Sequence, residues 1–135
     1  MKTIIFSTLI LLTVTGCATR LPEDELARSR ERLERYLMNN AMTQSEINIL
    51  SQNMVELANM ERYWLEYRIW NQPNYDKIEK VFSADCKAWE KRADAEAKKP
   101  SPYKGGSAEP MEHNLRMTGF IEKRIEELRT KWRQK

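Results

Sequence analysis

Apolar residues recur along this chain at steps of three and four and nowhere alternate at steps of two, so the pattern predicts helices and no sheet. Leu26, Leu33 and Leu37 mark a first helix from Glu23 to about Met38, with Glu23, Asp24 and Glu25 placed to complement the positive end of its dipole. Asn39-Asn40 break it. Thr43-Gln44-Ser45-Glu46 has the form of a capping box, and Ile47, Leu50, Met54, Leu57, Trp64 and Arg68 then follow one face of a long second helix, interrupted at Glu61. On this reading Trp64 packs in the core. Pro73, within Asn71-Gln72-Pro73-Asn74, disfavours helix at the residue before it and predicts a turn.

Ile78, Phe82, Cys86, Trp89 and Ala93 mark a third helix that continues to Ala97. Between Lys99 and Glu109 the chain concentrates Pro100, Pro102, Gly105 and Gly106, a composition that ends helices. Ser107 can cap a fourth helix with Pro110 in its first turn, and Met111, Leu115, Thr118, Ile121, Ile125, Leu128 and Trp132 carry that helix onward. Its last turns hold Arg129, Lys131, Arg133 and Lys135, which suit a carboxyl end. The expected fold is all-α, a small antiparallel bundle of about four helices.

The first residues carry a different signal. Lys2 precedes an apolar run from Ile4 to Val14 that is too short to span a membrane and is followed by small residues, the form of a cleaved secretory signal. Val14-Thr15-Gly16-Cys17 resembles the lipobox of bacterial lipoproteins. That resemblance implies diacylglycerol transfer to the Cys17 thiol, cleavage before Cys17 and acylation of the new amino terminus. Several acyl chains on one residue make a stable anchor, since each buried methylene contributes roughly 0.8 kcal/mol. Ala18 after the Cys implies sorting to the outer membrane, facing the periplasm. The expected organisation is a signal peptide over 1–16, a lipidated tether over 17–22 and a helical domain over 23–135.

Removing residues 1–16 leaves 119 of 135 residues, room for one small core, and takes the formal charge from +3 to about +2 by the loss of Lys2. No basic run with interleaved aromatics occurs, so nucleic acid is not an expected partner. With Cys17 committed to lipid, Cys86 is left without an intramolecular disulfide partner and reads as a small apolar residue on a helix. Four Trp, seven Met and five Tyr supply bulk for the core.

Chemistry-bearing patterns are sparse. His113 is the only His, beside Glu112 and outside any HExxH pattern, and the carboxylates spread evenly over helical faces. No set of nucleophile, base and orienting group stands out. The expectation is a protein that is not an enzyme and uses no metal or cofactor beyond the covalent lipid on Cys17.

The carboxyl half resembles the LprI-like lysozyme-inhibitor family of small secreted or lipidated helical bacterial domains. The resemblance rests on Trp89, Asp94, Gly105-Gly106-Ser107, Met111 and Arg124-Ile125-Glu126-Glu127-Leu128, which follow that family's order of a Trp-bearing helix, a Gly-Gly-Ser or Gly-Gly-Thr loop and an Arg-x-x-Glu-Leu helix. The family's Gln falls on Cys86 and its Arg on Ala93, and half-cystine positions near Ala97 and Arg116 are not Cys. Trp64-Leu65-Glu66-Tyr67-Arg68 matches the Trp-x-x-aromatic-Arg element better than the Trp89 segment does, but lies too far from Gly105, so spacing favours the Trp89 register.

What the resemblance implies is binding and inhibition of lysozyme or a related cell-wall hydrolase. The loop Tyr103-Lys104-Gly105-Gly106-Ser107 is then the first candidate contact, since a turn rich in hydrogen-bonding groups can fill a sugar groove and meet its two catalytic carboxylates. The same loop also reads as a plain helix connection. Trp70, off the main stripe and before a turn, is the candidate exposed aromatic. Two other classes are an envelope adaptor that uses its helical faces and an immunity lipoprotein that neutralises a secreted toxin.

Overall fold

A computed structural model describes residues 22–132, which form four helices: α1 (Pro22–Asn39), α2 (Gln44–Trp70), α3 (Tyr75–Ala97) and α4 (Glu109–Lys131). The expected signal peptide over 1–16 and the expected lipidation site Cys17 lie outside the described residues. Pro22, expected as the last residue of the tether, is instead the first of α1, a position where its missing N–H forfeits no helical hydrogen bond.

The helix ends follow from local side chains. Asn39 and Asn40 donate their amides to the carbonyls of Arg35 (2.7 Å) and Tyr36 (2.8 Å), taking up acceptors that the end of α1 leaves open. The capping box forms as expected: Glu46 N–H donates to Thr43 Oγ1 (3.3 Å) and Thr43 N–H to Glu46 Oε2 (2.8 Å). These bonds from Thr43 hold the Glu46 carboxyl below its ordinary pKa. At the far end of α2, Asn71 donates its side-chain amide to the Tyr67 carbonyl (2.7 Å) before the Pro73 turn.

Successive helices alternate in direction. Glu23 pairs with Arg68 and Arg30 with Glu61, so α1 and α2 are antiparallel. Asp85 with Arg124 and Glu96 with Arg116 set α3 against α4 in the same sense. α2 and α4 therefore run parallel, with Ser51 beside Asn114 at one end and Glu61 beside Arg129 further along. They form the most extensive contact in the fold. α1 packs along α2, while α3 lies along α4 and meets α2 only sparingly.

The core gathers Ala58, Leu65 and Ile69 of α2, Phe82 and Trp89 of α3, and Ile121, Ile125 and Leu128 of α4. Trp132 closes one end edge-on to Phe82, with ring centroids 4.9 Å apart. No helix among the described residues is long and apolar enough to cross a membrane.

Three sequence expectations need correction. Trp64 is 40% exposed and outside the core, because the buried face of α2 runs through Met54, Ala58, Glu61, Arg62, Leu65, Glu66 and Ile69. An apolar stripe misjudged this face, since Glu61, Arg62 and Glu66 are buried against opposite charges. Leu115 is exposed and Asn114 takes the inward place, its amide donating to Ser51 Oγ (3.1 Å). Ser107 does not cap α4: the cap residue is Ala108 with no side-chain bond, and Ser107 instead offers its carbonyl to Asn48 Nδ2 (3.0 Å).

Candidate functional site

The Pro-Gly loop joins α3 to α4 beside the amino end of α2. Gly106 N–H donates to the Tyr103 carbonyl (2.8 Å) and closes a tight turn, while Gly105 adopts φ +77°, a backbone angle that disfavours any residue with a Cβ. Glu109 reaches back from α4 and accepts from Gly105 N–H through Oε2 (2.6 Å). Ser101 Oγ accepts from Tyr103 N–H (3.1 Å), and Asn48 ties the Ser107 carbonyl to α2 (3.0 Å). The backbone of this turn is thus fixed from three directions.

Its side chains point the other way. Tyr103 and Lys104 are exposed, and Lys104 makes no ion pair with the described residues. Beside them lies a concavity of about 580 Å³ bordered by Lys99, Lys104, His113 and Arg116. Arg116 is held in place by Glu112 (3.1 Å) and by the Lys99 carbonyl (3.2 Å). A hydrogen bond from Lys99 is the main reason that Glu96 stays ionised below the ordinary carboxylate range, burial opposing it and Arg116 adding to it. The turn offers a cation and a phenol to a partner.

Trp70, the other candidate from the sequence, is exposed but stands at the opposite end of α2, edge-on to Phe82 at 6.4 Å. Asn48 at the turn and Arg68 near Trp70 are separated by about 30 Å along the helix axis. The structure does not bring the two candidates into one site.

Midway along α2 a polar seam crosses the core. Glu61 accepts from Arg30 of α1 (3.1 Å) and Arg129 of α4 (2.9 Å). Arg124 is 1% exposed and donates to Asp85 Oδ2 (2.5 Å), with Glu66 Oε1 at 3.6 Å and Cys86 Sγ at 3.4 Å. Burial alone would raise the Asp85 pKa, but the bonds from Arg124 and Lys131 outweigh it and keep the carboxyl ionised below its usual range. Burial would equally lower the Arg124 pKa, and Asp85 reverses that. The Cys86 thiol is pushed up by burial and then by Glu66. The paired charges of this seam tie α1, α3 and α4 to α2 and to one another and so register the helices.

A cleft of about 310 Å³ opens between α2 and α3 over this seam, with the Arg62–Glu66 pair (2.6 Å) on one wall and Trp89 on the other. The Arg62 guanidinium lies 4.4 Å from the Trp89 ring centre and 4.0 Å from that of Tyr63, which fills the space that closer helix packing would take. Of the motif residues behind the family resemblance, Trp89, Arg124 and Leu128 are buried, while Asp94 is exposed and paired with Lys98 (2.6 Å).

Sequence reasoning missed one surface. Met60, Tyr63, Trp64, Tyr67 and Trp70 are all exposed on α2 and fall within one face, pointing away from α4. The signal is present in the spacing of these residues at three and four, but the apolar pattern along the chain places Trp64 in the core and singles out only Trp70 as exposed. Among the described residues no cluster of His, Cys, Asp and Glu has the grouping to hold a metal ion. No family model, no curated protein and no solved structure matches this chain.

Proposed function

We propose that this chain is a lipid-anchored periplasmic binding protein that inhibits lysozyme or a related cell-wall hydrolase through the Tyr103–Ser107 turn. The observation that carries this reading is the polarity of the bundle. The amino end of α1 lies beside Arg68, through the Glu23 pair, and the rigid turn lies at the other end of α2. A domain tethered through Cys17 thereby holds the turn away from the bilayer, toward the wall where such hydrolases act.

The chemistry of the turn supports the same reading. Glycosidase clefts present two carboxylates to their substrate, and Lys104 is an exposed cation without an internal partner among the described residues. Tyr103 supplies a flat amphipathic face of the kind that contributes most at interfaces. A mature charge of about +2 gives no long-range attraction to a basic lysozyme. Affinity must then come from contact at the turn.

The test is lysis of peptidoglycan by several lysozyme types in the presence of micromolar protein. Slowed lysis that is lost in a Tyr103→Ala, Lys104→Ala double variant supports the reading. Unchanged lysis with every type rejects it.

A further inference from the structure

The exposed face of α2 changes character along its length. Its amino half presents Gln52, Asn53 and Glu56, whereas from Met60 to Trp70 every exposed residue except Arg68 is aromatic or Met. Tyr63, Trp64, Tyr67 and Trp70 stand there beside Arg68, whose charge is paired with Glu23, and Trp64 and Tyr67 pack edge-on at 5.7 Å. The patch runs for about 15 Å along the helix. α1 flanks it on one side and α3 on the other, so none of the four helices covers it.

The position of this patch is what identifies its occupant. It lies in the half of α2 that ends at Arg68, and Arg68 pairs with Glu23, the second residue of α1. From Pro22 back to Cys17 is a span of at most about 18 Å, even fully extended. If Cys17 carries the acyl chains, the aromatic face is held within reach of the bilayer surface. Trp and Tyr, each with an apolar body and one polar atom, are the side chains that partition to the headgroup layer.

We infer that Tyr63, Trp64, Tyr67 and Trp70 of α2 form a membrane-seating face that rests in the headgroup layer of the bilayer holding the lipid anchor. This inference rests on the lipidation of Cys17. Seating the face fixes the orientation of the bundle, which the tether alone leaves free. Because the aromatic side chains are uncharged and the neighbouring Arg68 is paired with Glu23, the contact needs no anionic lipid and tolerates salt.

The test uses the native lipoprotein reconstituted in phosphatidylcholine vesicles whose acyl chains carry bromine, a short-range quencher of Trp emission. Its intact mass is measured first. The expected result is an acylated protein whose emission is quenched, with Trp64→Phe and Trp70→Phe together removing about half or more of the quenching. Trp89→Phe, in the core, leaves it intact. High salt leaves the quenching unchanged.

A native mass without acyl groups removes the anchor and the seating together. An acylated protein whose quenching is the same with and without Trp64 and Trp70 overturns the seating alone. So does a crosslink through this face to a second copy or to another envelope protein.

Discussion

Arg124 and Asp85 meet at 2.5 Å across the α3–α4 contact, the guanidinium side chain wholly buried and the carboxylate mostly so. This pair is the buried polar link to α3, whose fully buried apolar residues are Phe82 and Trp89. Arg124→Ala leaves Asp85 and the buried Glu66 without that cation and opens a void between the helices. The expected loss is about 3–5 kcal/mol, the usual result of breaking a buried pair from one side, read as a lower urea midpoint. Asp85→Ala should cost less, since Arg124 keeps Glu66 and Glu127 within 3.6 Å.

The same carboxylate sets an acid limit. Asp85 has a folded pKa below its unfolded one, so the stability it contributes is complete above about pH 4, the unfolded value, and is lost as pH falls through the folded value. Glu46 and Glu96 are lowered as well and act in the same direction. Thermal midpoints of wild type and Asp85→Asn should therefore differ at pH 7 and converge below pH 4. A gap that stays constant across that range would mean Asp85 is not the titrating group.

The sequence pattern located each helix to within a few residues because helix starts and stops are local: the Thr43–Glu46 box, the Asn pairs and Pro73 act on their own neighbours. The buried face of α2 was not legible in the same way. Whether Glu61, Arg62 and Glu66 turn inward depends on Arg30, Arg129, Arg124 and Trp89, which come from three other helices. Once those charges take the inside, Tyr63, Trp64 and Tyr67 are left outside. The turn at Gly105 was visible as composition, but its distance from Trp70 follows only from the course of α2.

Cys86 should behave as an inert thiol. It is half-buried, within 3.4 Å of Arg124, and burial with the nearby Glu66 keeps it protonated at neutral pH. Arg124 pulls the other way but does not win. In a Cys17→Ala variant a thiol-reactive dye should label Cys86 slowly in native buffer and rapidly in urea, with the native rate rising only at strongly alkaline pH. Glu66→Gln should raise the native rate, because it removes the second-largest influence that favours the thiol. Fast native labelling at neutral pH would show that the α2–α3 cleft admits reagents and that Arg124 dominates.

Gly105 and Gly106 separate the fold of the turn from its use. At φ +77° an alanine in place of Gly105 has open space for its Cβ yet sits in a left-handed backbone, at an expected cost of about 1–2 kcal/mol. Gly106→Ala meets a different obstacle: the new Cβ lies 3.1 Å from the Tyr103 carbonyl oxygen, the atom that accepts the closing hydrogen bond. Either substitution should release protection of the Gly105 or residue 106 amide in hydrogen exchange while the α2–α4 core stays protected, since the loop adds nothing to that core. If the turn is the inhibitory element, lysozyme inhibition should fall with that protection even though Tyr103 and Lys104 are retained. Ser107→Ala supplies the contrast. Its side chain makes no capping bond and only its carbonyl is used by Asn48, so the exchange pattern should stay at the wild-type level.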